Sequence, residues 1–234
     1  MDKIIKITAG LFLVVLAIFV AQGWYGNYVE QKYKNTLVST YIYDCTISAS
    51  EKLTNVTFLI PVPVNGTGDS QLAEDYSLRQ VSGLPPEWRT TIVGSNKGAV
   101  IKIVVPELAP SIVTLHLDVP VAGPIETKSP LAQGILFRPV LNPKKADCAA
   151  SAGTGAICYR YDSTIYATYD SSQSARVAIS STLVGKNTWT IFAPASNQYS
   201  TSISATINGP HRRWIDAPGE LQTGIGSYDV PNDS

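Results

Sequence analysis

Charge is scarce in this chain. Lys, Arg, Asp and Glu make up 15% of its 234 residues, and 18 basic side chains face 18 acidic ones. Without a basic excess there is no electrostatic footprint for a phosphate backbone, which excludes nucleic acid as a partner. Cysteine and histidine are scarcer still, at three and two. Cys45, Cys148 and Cys158 stand in no zinc spacing, and the aspartates never reach the spacing of a calcium loop. There is no Gly-x-Ser-x-Gly elbow and no repeat of fixed period. No catalytic residue, cofactor-binding residue or metal ligand is therefore assigned, and the expectation is a protein that is not an enzyme and carries no cofactor.

What the chain does have is one long apolar run near its start. From Ile7 to Ala21 no residue is charged, and Leu, Val, Ile and Phe dominate. As a helix, Ile7–Trp24 would measure about 27 Å, close to a thin hydrocarbon core. Trp24, Tyr25 and Tyr28 follow directly, as an aromatic belt at one interface would. Lys3 and Lys6 precede the run, placing residues 1–6 in the cytoplasm, 7–25 across the membrane and the rest outside. A cleaved signal peptide is the competing reading, since small residues at Ala21 and Gly23 offer a cleavage point after Gly23. Residues 26–36 read as a polar stalk that continues the helix for a turn or two.

Beyond Leu37 the hydrophobic period is two. Tyr41, Tyr43, Cys45 and Ile47 share one face, and Val56, Phe58 and Ile60 share another; these two runs, joined by a turn at ASEK, read as a hairpin. Ser95-Asn-Lys-Gly marks a second hairpin. Val113, Leu115, Leu117 and Val119 alternate with Thr114, His116 and Asp118. Later, Tyr161, Ile165, Ala167 and Tyr169 alternate with Arg160, Asp162 and Asp170. VGKN, at 184–187, reads as a turn ahead of the strand TWTIF. Greasy faces backed by hydroxyl-rich ones predict a mainly β, antiparallel sandwich or jelly-roll-like ectodomain over 37–234. The proline-rich stretch 120–143 is either a crossover between sheets or a domain boundary.

Several side chains carry candidate chemistry. Asn55-Val-Thr and Asn65-Gly-Thr are glycosylation sequons. Cys148 and Cys158 flank a small-residue loop and are expected to form a disulfide in an oxidising compartment, with Cys45 and either partner as the alternative. His211-Arg212-Arg213-Trp214 sets cations beside an indole, a patch suited to an anionic sugar, a lipid headgroup or an acidic partner. Its bland alternative is a loop with Trp214 tucked against the core and the arginines in water. Tyr166 is the tyrosine whose phase exposes it best. His116 and Asp118 share a strand face, as an acid–base pair would, but more simply read as exposed polar residues. Glu87, Glu107, Asp118 and Glu126 are the acids that a glycan-cleaving enzyme would draw on, and none lies in a motif.

A short basic start, one hydrophobic helix, sequons beginning in LTNVTFLIPVP, low charge and a Ser/Thr/Tyr-rich β region together resemble the membrane-anchored surface proteins of archaeal envelopes. The resemblance implies a single-pass protein displayed outside the cell and brings no functional residues with it. The Gly-Glu of a prepilin cleavage site is absent before the run, which sets the chain apart from pilins and archaellins. The expected role is structural or recognition work at the cell surface, with the membrane as partner. The alternatives are an accessory subunit of a membrane complex or extracellular filament, meeting other envelope subunits or glycans, and an extracellular glycan-active enzyme.

Overall fold

A computed structural model describes residues 2–70, 72–74, 82–95, 98–149 and 155–228. Helix α1 (Asp2–Thr36) is unbroken. The polar stalk is thus helical to its end, some three turns rather than one or two. Residues Ile5–Thr36 are long and apolar enough to cross a membrane, and none of their most apolar window is buried against protein. The helix meets the body along its C-terminal turns. Val29 is buried, Tyr33 packs edge-on against Trp189 at 5.5 Å between ring centroids, and the Thr190 N–H donates to Thr36 Oγ1 at 3.0 Å.

The body consists of β1 (Val38–Ala49), β2 (Leu53–Pro61), β3 (Pro63–Val64), β4 (Arg89–Ser95), β5 (Gly98–Leu108), β6 (Ser111–Val121), the short helix α2 (Pro130–Gln133), β7 (Leu136–Phe137), β8 (Leu141–Ala146), β9 (Ile157–Asp170), β10 (Arg176–Thr190), β11 (Pro194–Asn208) and β12 (His211–Gly226). Ten of these strands form one antiparallel sheet in the order β4-β5-β2-β9-β12-β11-β10-β1-β6, with β8 alongside β9; β3 and β7 make a separate ribbon.

Two short connections show how that sheet is bent. Residues 50–52 join β1 to β2, and residues 109–110 join β5 to β6, although each pair lies near opposite ends of the strand order. Four Cα steps reach about 14 Å at most. The two halves of the sheet must therefore curl face to face, at the ~10 Å spacing of packed sheets. The expected β1–β2 hairpin is corrected by this: β1 pairs with β10 and β6, and β2 with β5 and β9. A turn-like link was there, but apolar faces on both strands favour closing the core over pairing with each other.

The concave face carries the apolar residues of the alternating strands. Tyr41, Tyr43, Cys45, Val56, Phe58, Ile103, Leu115, Ile165, Ala167, Ile179 and Ile203 all belong to one core cluster, which includes residues on both sides of the proline-rich stretch. The β4–β5 hairpin forms as expected, with Ser95 opposite Gly98. VGKN is no turn: Gly185 lies inside the straight pairing of β10 with β1 and β11. The HRRW segment is the start of β12 and not a loop.

Candidate functional site

The outer face of β2, β9 and β12 gathers the densest polar and aromatic chemistry. Register sets Trp214 directly opposite Tyr166, and the two rings meet edge-on at 5.5 Å. Arg212, two residues back on the same face, reaches Asp170 at 2.7 Å. Asp170 also accepts from Asn55 Nδ2 at 3.0 Å. Asn55 can point there because it occupies a left-handed conformation (φ 54°), where β2 slips register against β9. Asparagine tolerates that conformation better than most residues. The hydrogen bond from Asn55, then that from Arg212, holds the Asp170 carboxyl below its ordinary range. The ion pair is exposed, so its contribution to stability is small. Its geometric effect is to fix a guanidinium beside an indole–phenol pair on an open surface.

Strand alternation divides the HRRW patch between two faces. Arg212 and Trp214 look outward. His211 turns toward the core edge and stacks on Tyr169 at 6.5 Å. Its Nε2 is buried without a hydrogen-bond partner among the described residues. Burial first, and the neighbouring Arg213 charge second, push the His211 pKa down. Arg213 itself is exposed. The set therefore supplies an outward ridge of Arg212, Trp214 and Tyr166, while His211 belongs to packing.

His116 and Asp118 do meet, at 3.4 Å, but the stronger partner is one that sequence reading left out. Asp44 on β1 lies opposite His116 on β6, and its carboxylate sits 2.7 Å from Nδ1. Ser82 donates its hydroxyl to the His116 carbonyl, not to the imidazole, so no activated serine is assembled here. The hydrogen bond with Asp44, helped by Asp118, raises the His116 pKa.

The chain's two histidines thus pull stability in opposite directions. His116 binds its proton more tightly when folded, so its contribution is complete below the unfolded pKa and is lost as pH rises through the folded one. His211 binds its proton less tightly when folded, so its contribution is present above the unfolded pKa and is lost as pH falls toward the folded one. Chemical unfolding between pH 5 and 8 tests this: His116→Asn should leave stability rising with pH. His211→Asn should leave it falling. The falling slope should be shallow, since His116 is 45% exposed and such pairs contribute about 0.2–1 kcal/mol.

The remaining candidates are dispersed. Glu107 pairs with Lys52 at 2.8 Å, Glu126 accepts the backbone N–H groups of Lys128 and Ser129, and Glu87 is exposed in the turn before β4. The Asn65 side-chain oxygen accepts from the N–H and hydroxyl of Thr67 and from the Asp69 N–H, closing a tight polar loop. Cys148 and Cys158 are disulfide-bonded, and Cys45 is free and fully buried, its thiol pushed up to about 11 chiefly by that burial. Among the described residues no three His, Cys, Asp or Glu side chains are grouped to hold a metal. No family model, no curated protein and no solved structure matches the chain.

Proposed function

We propose that this chain is a single-pass, membrane-anchored surface protein. Its β body stands on the non-cytoplasmic side, carries sugars at Asn55 and Asn65, and serves structure or recognition without chemistry of its own. The observation that carries this reading is α1: an apolar window with a mean hydropathy of 2.2, no part of it buried in the protein, running as one helix into the body. A bilayer is the solvent that such a surface requires. The Cys148–Cys158 disulfide agrees with an oxidising compartment. The reading also matches what the likeness to archaeal envelope proteins implies. The outward ridge of Arg212, Trp214 and Tyr166 favours recognition of a partner or glycan over a purely mechanical role.

Labelling of sealed cells with a membrane-impermeant amine reagent tests the topology. Lys144 and Lys145, exposed on β8, should be modified, and Lys3 and Lys6 should be spared. The reverse pattern would overturn the proposal. Intact mass of the same material reads the sugars and any cleavage after Gly23.

A further inference from the structure

The body touches the anchor at a second place, lower than the joint at Thr36. The loop between β10 and β11 carries Phe192 at its tip, 69% exposed. A lone exposed Phe would mean little. This one completes an aromatic cluster: its ring lies 6.2 Å from Tyr25 and 6.5 Å from Tyr28, and Tyr28 in turn stacks on Trp24 at 6.3 Å. Trp24 is 74% exposed and Tyr25 55%. Three of the four rings come from the helix, where its hydrocarbon-length run ends. The fourth comes from a hairpin more than 160 residues further along the chain. Directly above them α1 becomes polar, with Glu30 pairing with Lys34 and Lys32 standing 5.8 Å from the Tyr28 ring.

We infer that Phe192 inserts into the bilayer interface, so that the β10–β11 hairpin is a second, non-helical membrane contact. The inference rests on the anchor reading above and goes beyond it. The height argument is simple. Ile7–Trp24 fills about 27 Å of hydrocarbon. Tyr25 and Tyr28 then sit at the headgroup level where amphipathic rings belong. A phenylalanine packed against both is at that same level, and the described residues leave most of its apolar side chain exposed. The occupant fitted to it is the acyl–headgroup boundary of the membrane that α1 already enters. Two attachment points in place of one would restrict the tilt of the body.

Depth-dependent fluorescence quenching tests this in the full chain reconstituted into phosphatidylcholine vesicles. Single-site variants Phe192→Cys, Leu16→Cys and Ile112→Cys accept an environment-sensitive label, since Cys45 is buried and the other two cysteines are bonded. Leu16 lies at the middle of the apolar run. Ile112 is 73% exposed and pairs with Ser48, about 30 Å along β1 from the helix end. The label at 192 should be quenched severalfold more by lipids with a nitroxide high on the acyl chain than by lipids with a deep one. The label at 16 should show the opposite ratio, and that at 112 no quenching by either. If 16 is quenched and 192 is not, the hairpin contact fails and the anchor stands. If 16 is not quenched, both fail. A label at 192 shielded from lipid nitroxide and from aqueous iodide alike would mean that protein covers the site, and would also overturn the inference.

Discussion

Gly219→Ala is expected to destabilise the body by about 2–4 kcal/mol, a large effect for one methyl group. Gly219 on β12 faces Tyr161 on β9, and the tyrosine ring lies across the glycine to reach Thr201 Oγ1 on β11 at 2.7 Å. A Cβ at 219 would stand 2.4 Å from Cε2 and Cζ of that ring, a distance real contacts do not reach. The ring has nowhere to go: Tyr161 is 2% exposed, its phenol pushed well above the ordinary range by burial, in an interior packed at crystal density. Gly185 on β10 repeats the device, with its missing Cβ position 2.3 Å from Cε1 of Tyr199, whose hydroxyl donates to the Ile135 carbonyl at 2.7 Å. Glycine inside a strand normally weakens it, so alanine would ordinarily help slightly. Here the sign should reverse. Gly94, with nothing among the described residues within 4 Å of its Cβ position, supplies the control, and Gly94→Ala should be neutral or mildly stabilising. Denaturant unfolding of the full chain in detergent reads all three. In a Tyr161→Ala background most of the Gly219→Ala cost should disappear. Simple additivity of the two would show that the ring is not what the methyl group meets.

Those two glycines also explain where reading the chain by period succeeds and where it fails. Alternation placed Tyr161, Ile165, Ala167 and Tyr169 correctly, because burial on one face of a strand is a property of adjacent residues. VGKN looked like a turn because glycine followed by lysine and asparagine is turn chemistry. Its real cause lies on another strand, in the ring of Tyr199. β12 went unrecognised for a related reason: Pro218, Gly219 and Gly224 interrupt its pattern, and Pro218 opposes Asp162 while Gly219 makes room for Tyr161. The candidate site divides in the same way. The outward phase of Tyr166 was legible, and so was the density of charge and indole at 212–214. The partnership of Arg212 with Asp170 and Asn55 was not, because it unites three strands whose order depends on how the sheet curls. The pairing of Asp44 with His116 follows only from β1 lying beside β6.

Asn187→Leu should cost about 3–5 kcal/mol and should loosen the segment 122–129 in particular. Asn187 is an inward-facing polar side chain on β10, 2% exposed, at the end of the body nearest the helix. Its oxygen accepts from Ser39 Oγ at 2.7 Å and from the Ile125 N–H at 2.8 Å. Its amide nitrogen donates to the Ile125 carbonyl and to Asn197 Oδ1, each at 2.8 Å. Asn197 in turn accepts from Thr127 Oγ1 at 3.1 Å and donates to the Ser227 carbonyl at 3.2 Å. Every donor and acceptor of the Asn187 amide is used. A leucine of similar bulk keeps the volume and orphans the partners. The Ile125 backbone N–H and carbonyl and the Asn197 oxygen would lose a bond in a place water does not easily reach, at about 1–3 kcal/mol for each group left unsatisfied. Asn187→Asp should be worse at neutral pH, since a carboxylate would face the Ile125 carbonyl and Asn197 Oδ1 with no proton to offer. Its penalty should shrink as pH falls and the acid protonates. Hydrogen exchange distinguishes this from a general loosening. The Ile125 amide should lose protection in Asn187→Leu before the β1–β10 ladder does, because that amide depends on the side chain and the ladder does not. Equal loss at both places, or an unfolding midpoint unchanged from the parent, would show that the network decorates the helix-proximal end without holding it together.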